Sequence, residues 1–218
     1  MLTITPSASN VSSIHKQQNL HKIAFTGKHN SVHKHKSSSP ITIHNYHHVD
    51  DIVSRGAKPS EKQVKELAKN GFKHIISFCT NYDPQKGYLG MPEEAKWADK
   101  NGIKFHWFPF NAKKNPSKKQ VKDFFDITDN ARINNEKVFI HCRHGADRTG
   151  VFSAIYKIRN YHANLESIYK EMFKYGHDAN LHNNLIPFVA KFKHDNMFNL
   201  KGILIHILAQ AKKSIERL

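Results

Sequence analysis

The stretch that most constrains the chain is Lys137–Gly150, KVFIHCRHGADRTG. Val138, Phe139 and Ile140 form a short apolar run ending on His141 and Cys142. A loop with one glycine, Gly145, follows, and Arg148, Thr149 and Gly150 open a long helical pattern. When a strand hands over to a helix through a tight basic loop, the loop amides and the helix N-terminus converge on one point and make an anion site. Cys142 sits at the bottom of that bowl, where the positive field favours thiolate. Arg148, with five residues between it and Cys142, is placed to fork two hydrogen bonds onto phosphate oxygens. Thr149 is placed to give a hydroxyl proton to the sulfur. The pattern describes a sulfur nucleophile under a bound phosphate.

The rest of the chain supplies a scaffold for such a loop. Asp51–Pro59 reads as a short strand and a turn. Ser60 and Gln63 form a capping box that starts a helix with Val64, Leu67 and Ala68 on its apolar face, closed by Gly71. Lys73–Cys79 reads as a buried strand and Asn81–Gly90 as a loop. Met91–Asn101 is a helix with Pro92 in its first turn, and Ile103–Phe110 is another strand. After a loop at Asn111–Pro116, a second capping box, Ser117 with Gln120, opens a helix that runs to about Asn134. Helices are expected at Thr149–His162, Leu165–Tyr175 and Leu185–Phe192. Strands alternating with helices imply an α/β domain, a mostly parallel central sheet flanked by helices, with the Cys142 loop at the carboxyl end of a strand.

HCRHGADRTG resembles the Cys-x5-Arg signature loop of the protein tyrosine and dual-specificity phosphatase superfamily, and a weaker resemblance extends over about Asn45–Phe192. Arg-Gly-Ala-x-Pro at Arg55–Pro59 and YKEMFKY at Tyr169–Tyr175 are similar to segments of the same family, nearest its bacterial dual-specificity-like and lipid-phosphatase-like members. A structural cysteine or a rhodanese-like sulfur carrier would not need Arg148 at that offset or the Arg-Thr-Gly exit. The resemblance implies a phosphatase fold. It also implies a mechanism in which Cys142 attacks phosphorus to give a thiophosphate that water then hydrolyses. By the same resemblance Arg143, His144, Gly145, Ala146, Asp147 and Arg148 would bind phosphate and His141 would support the loop. Gly145 lets the backbone approach a phosphate oxygen where a side chain would intrude. No cofactor or metal is expected.

The family takes the leaving-group proton from an Asp in the loop corresponding to Asn111–Pro116. That loop holds no acid, and nothing between Asp99 and Asp123 is Asp or Glu. Asp147 is the substitute within the signature, as in myotubularin-like loops, where the equivalent Asp is proposed as the acid. Its other reading is a brace for the loop. Asp83 is a further candidate, and the absence of any general acid is the third. In that case the chain would turn over slowly, or serve as a pseudophosphatase that binds phosphoanions. Cys79 resembles the resolving cysteine of lipid phosphatases, which makes it a candidate redox partner of Cys142; the alternative is an ordinary buried cysteine.

Charge suggests the substrate. Lys and Arg number 34 against 18 acids, a net +16, and seven lysines, Lys113 and Lys114 among them, surround the acid-free loop. An electropositive rim at Lys113 and Lys114 would draw in a polyanion. A phosphorylated substrate is expected, either a phosphoinositide or a phosphoprotein. Nucleic acid is not the partner this pattern favours. Residues 1–40 contain no Asp or Glu and read as a disordered basic leader, ahead of a phosphatase domain over 41–196. Within 197–218, Leu200, Ile203, Leu204, Ile207, Leu208, Ala211 and Ile215 share one helical face, which is expected to dock on the domain. An anionic membrane surface is the alternative. Two cysteines, Cys79 and Cys142, fit a reducing compartment, so a cytoplasmic location is expected, with export or peripheral membrane attachment as alternatives. The histidines of HNYHH, His44–His48, are expected to be solvated.

Overall fold

The computed structural model describes residues 40–195 apart from 84 and 86, together with 204, 208, 211, 212 and 214–216. The leader over 1–39 and most of 197–218 lie outside the described residues. Among those described, no helix is long and apolar enough to cross a membrane.

Within residues 40–195 the described strands are β1 His47–His48, β2 Val53–Ala57, β3 Phe72–Ser77, β4 Tyr82–Asp83, β5 Gly87–Tyr88, β6 Lys104–Trp107 and β7 Lys137–Cys142, interspersed with helices. The helices are α1 Glu61–Lys69, α2 Glu93–Lys100, α3 Lys118–Ile133, α4 Asp147–Tyr161, α5 Leu165–Lys174 and α6 Leu185–Asp195. The main sheet has the order β1-β2-β7-β3-β6; all its pairings are parallel except the antiparallel edge pair β1–β2. Both expected capping boxes form, with Ser60 and Ser117 accepting from the amides of Gln63 and Gln120. Two expectations need correction, the second in part. The segment read as a loop at Asn81–Gly90 contains the antiparallel β4–β5 pair, too short to show any alternation of apolar residues. His44 and His48 are exposed as expected, although His48 also hydrogen-bonds with Ser54, while His47 is half-buried and stacks on Tyr175.

The sheet is covered on both faces because neighbouring strand residues point to opposite sides. Ile75 and Phe139 face Val64 and Leu67 of α1 and Ala98 of α2. Ile76 and Ile140 face Phe124 of α3 and Phe152 and Ile155 of α4. Each such fully buried side chain contributes about 2 kcal/mol. Because α4 is buried on several sides, α5 and α6 in turn cover its Val151, Ala154 and Ile158. β7 therefore lies between β2 and β3, and the carboxyl ends of these strands and of β6 converge on the loop after Cys142.

A polar clamp ties the start of β2 to α3 and α4. Asp50 accepts the amides of Ile52 and Val53 through one oxygen, while its other oxygen meets Arg132, Tyr156 and Tyr161. Burial opposes ionisation, yet the Tyr161 hydroxyl and the Arg132 guanidinium outweigh it, and the Asp50 carboxyl stays below its usual range. A depressed folded-state pKa stabilises the fold above the unfolded value, near pH 4, and that contribution fades as pH falls through the folded one. Asp50→Asn leaves Arg132 without its counter-charge and is expected to cost about 3 kcal/mol, read as a lower urea midpoint at neutral pH. The difference from wild type should shrink as pH drops below 4 or so.

Candidate active site

Cys142 is the last residue of β7 and is 2% exposed; Asp147 begins α4 five residues later. The intervening loop closes because Gly145 has φ 72°, a conformation other residues rarely adopt. The turn also brings the Gly145 backbone against β2: a Cβ built there would lie 2.4 Å from the Gly56 carbonyl carbon. Arg143 and His144 are exposed, whereas Gly145, Ala146, Thr149 and Gly150 are buried. Burial raises the Cys142 pKa, but the Arg148 charge, the Thr149 hydroxyl and the Thr149 and Gly145 amides outweigh it, so the thiol is more acidic than usual. A thiol so acidified, beside the Gly145 and Thr149 amides and the Arg148 guanidinium, is chemically suited to attack a bound phosphate.

Several residues that sequence reasoning missed hold this loop from behind. Arg55 of β2 is buried at 1% exposure, donates to the Gly145 carbonyl at 2.6 Å, and lies 4.7 Å from the Tyr175 ring centroid. Its charge is balanced by Glu171 at 3.9 Å. The signal was present: an arginine inside the buried run VSRGA must find partners. His141 is fully buried and pairs with Glu94 at 3.0 Å, which also receives Lys58 at 2.8 Å. Burial disfavours the His141 imidazolium, but Cys79 and Glu94 outweigh it and push its pKa up to about 9. His141 thus keeps its positive charge beneath the loop, 3.4 Å from the Cys142 carbonyl. Cys79 is buried, free and hydrogen-bonded to this imidazole. Nothing local in the sequence could have paired Glu94 with His141.

Arg148 is anchored by the carbonyls of Phe78, 2.9 Å away after β3, and Phe110, 3.3 Å away after β6. One guanidinium nitrogen is thereby fixed, leaving the others to meet an anion. Asp147 turns toward the connection between α5 and α6. One oxygen receives His177 Nδ1 at 2.9 Å and the Asp178 amide at 3.0 Å; the other lies 3.6 Å from His182 Nε2. Burial raises its pKa, yet His177, the Asp178 amide and His182 outweigh this and hold the carboxyl below its ordinary value. Lys113 and Lys114 are exposed in the acid-free loop, which starts just after the Phe110 carbonyl that holds Arg148. Asn184 donates to Asn115 at 3.0 Å and so ties that loop to the α5–α6 connection. The side chain of Asp83 lies outside the described residues. Among the described residues no cluster suited to a metal ion occurs.

Fold and loop together define a class, the α/β phosphatases of the tyrosine and dual-specificity superfamily. The chain belongs to the family described as DSP-PTPase phosphatase fused to NAD+ kinase, whose model matches residues 22–185. No curated protein matches the sequence. Solved structures share the fold at low identity. TpbA of P. aeruginosa is 19% identical with a TM-score of 0.55, covering 70% of this chain and 91% of its own. A putative phosphatase of Shewanella putrefaciens is 17% identical at TM-score 0.58, covering 71% of this chain and 95% of its own. The core catalytic domain of the PP-IP phosphatase SIW14 of S. cerevisiae is 20% identical at TM-score 0.58, covering 73% and 91%.

Proposed function

We propose that the chain hydrolyses phosphate monoesters through a thiophosphate on Cys142, and that its substrate carries several negative charges. The observation that carries this reading is the buried, acidified thiol under Arg148 and the loop amides. In the first step the Cys142 thiolate attacks phosphorus in line with the leaving oxygen. The amides of residues 143–148 and the Arg148 guanidinium take up the charge gathering on the equatorial oxygens. Thr149 stabilises the sulfur anion both before attack and when water later displaces it. Asp147, ionised and held by His177 and the Asp178 amide, fits a brace better than a proton donor. The Cys79 thiol, held by His141, is the candidate partner for Cys142 on oxidation.

The polyanion reading rests on Lys113 and Lys114, exposed on the loop whose Asn115 is held by Asn184, and on Arg143 and His144 at the rim. Related folds span both chemistries: TpbA has been captured with phosphotyrosine, and SIW14 is described as a PP-IP phosphatase. In 197–218, Lys212 donates to the Ile133 carbonyl at 3.0 Å, which supports docking on the domain, while Leu204, Leu208 and Ile215 are exposed and fit the alternative of an anionic membrane surface, where a phosphoinositide would be presented. Phosphate release from a soluble phosphoinositide, a phosphotyrosine peptide and phenyl phosphate tests the reading. Replacing Lys113 and Lys114 together by Ala should raise KM for the phosphoinositide about tenfold and leave phenyl phosphate unchanged. Equal slow rates on every substrate would defeat the polyanion reading. No release from any ester would favour a phosphoanion-binding module, a reading the acid-free loop keeps open.

A further inference from the structure

Four consecutive carbonyls from the nucleophile onward each have a polar partner. The Cys142 carbonyl meets His141 Nδ1 at 3.4 Å, that of Arg143 accepts the Lys58 amide at 3.2 Å, that of His144 accepts Asn45 Nδ2 at 3.3 Å, and that of Gly145 accepts Arg55 at 2.6 Å. Asn45 and the Lys58 amide are neutral, and Arg55 is always charged. Of these partners only His141 is of a type that changes charge near neutral pH. What holds its proton therefore bears on the loop.

The polar groups that meet the His141 ring are acceptors. Glu94 Oε1 of α2 lies 3.0 Å from Nε2, the Cys142 carbonyl lies 3.4 Å from Nδ1, and the Cys79 sulfur also bonds to the ring. Phe139 of β7 stacks on it at 5.7 Å and brings no charge. An imidazole that meets acceptors at both nitrogens can donate to both only with both protons in place. The second oxygen of Glu94 takes Lys58 Nζ at 2.8 Å, so one carboxylate serves two cations. Its place in the first turn of α2 also favours the anion, through the helix dipole. Burial works against ionisation, yet His141 and Lys58 outweigh it and hold the Glu94 carboxyl below its ordinary value. The Glu94 and His141 side chains are both 0% exposed. Burying an ion pair so completely is costly, and apolar side chains would fill the same space with less penalty. The pair stands instead one residue from the nucleophile.

We propose that Glu94 is a positioning residue of the reaction, acting through His141: it secures the cation beside Cys142 that helps to keep the sulfur ionised. The proposal rests on the reading of Cys142 as the nucleophile. With Glu94 in place the ring keeps both protons and its contact with the Cys142 carbonyl, and its charge joins those that already act on the sulfur. Those come from Arg148, the Thr149 hydroxyl, the Gly145 and Thr149 amides, and Arg55 of β2. His141 and Cys142 are 0% and 2% exposed, so water scarcely screens the added charge. Without the carboxylate, only the Cys79 sulfur, a weak acceptor, and the Cys142 carbonyl remain beside the ring. Burial then drives the proton off, and the thiolate loses a neighbouring cation.

The test alkylates the full chain with iodoacetamide across pH and follows Cys142 by mass spectrometry, a readout that needs no turnover. Glu94→Gln should move the alkylation limb of Cys142 up by about one pH unit, so that alkylation below the limb is about tenfold slower. At the same pH, kcat/KM on phenyl phosphate should fall in proportion. Glu94→Asp, which keeps the charge, should recover most of the shift. His141→Gln removes the cation at its source and should move the limb as far, with Glu94→Gln adding nothing on top. Lys58→Met keeps the backbone bond to Arg143 and should leave the limb within about 0.3 unit of wild type. A limb that stays in place while rates fall equally at every pH would make Glu94 structural and overturn the proposal. So would a shift in Lys58→Met as large as that in Glu94→Gln, or a further shift when Glu94→Gln is added to His141→Gln, since the effect would then bypass the imidazole. Should Glu94→Gln fail to fold, His141→Gln decides, and an unmoved limb there overturns the proposal. Wild-type protein that releases no phosphate from any ester would instead overturn the nucleophile reading, whatever the limb does.

Discussion

Cys142→Ser is expected to lower phosphate release by about 10⁴-fold or more while leaving the protein folded and able to hold vanadate. The substitution replaces one buried atom by a smaller one at a position 2% exposed, so the stability change should be small. The chemistry changes far more. Arg148, Thr149 and the Gly145 and Thr149 amides shift the Cys142 thiol toward its anion at neutral pH; a serine hydroxyl stays protonated in the same field. The nearest described imidazole is no base for that proton: the pKa of His141 is pushed up to about 9, and its ring lies on the carbonyl side of Cys142. The amides and Arg148 remain, so an oxyanion should still bind. Single-turnover phosphate release and vanadate titration read the two halves. Retention of more than a hundredth of the wild-type rate would mean that sulfur is not the nucleophile.

Gly145→Ala should be nearly as damaging, by a different route. Its φ of 72° already strains a residue with a side chain, and the added Cβ would sit 2.4 Å from the Gly56 carbonyl carbon and 2.7 Å from the Ala57 nitrogen. Those contacts are backbone in a central strand pair, so neither can swing aside. The loop must lift away from β2, and the bond from Arg55 to the Gly145 carbonyl goes with it. A cost of about 3 kcal/mol in stability is expected from overpacking and strain combined. Activity should fall by about 100-fold or more, because a displacement near 1 Å misaligns both the amides and the attacking sulfur. Thermal melting and kcat on phenyl phosphate measure the two effects separately. Wild-type kinetics would show that the loop tolerates a different curvature.

The fold was readable because its signals are local. Capping boxes at Ser60 and Ser117, the apolar runs of β3 and β7, and the strand–loop–helix around Cys142 each announce themselves within a few residues. Cys142, Arg148 and Thr149 come together as their spacing implies, since five intervening residues cannot separate them in a closed loop. The supporting groups were not readable in the same way. Glu94 and Lys58 reach His141 only through tertiary packing, and Arg55 meets Gly145 across 90 positions of chain. Asp147 was visible as an acid in the right loop, but the direction of its carboxylate depends on His177 and His182, thirty or more residues away. The β4–β5 pair, two residues per strand, left no periodic trace at all.

The bond from Arg55 to the Gly145 carbonyl has an effect on timing. By drawing that carbonyl backward, the guanidinium fixes the Gly145–Ala146 peptide plane, whose N–H lies opposite the carbonyl. The curvature at Gly145 is therefore set by β2 before any ester arrives. Capture then needs no rearrangement of the cup, and a change at Arg55 should be felt first as slower association and only afterwards as weaker chemistry.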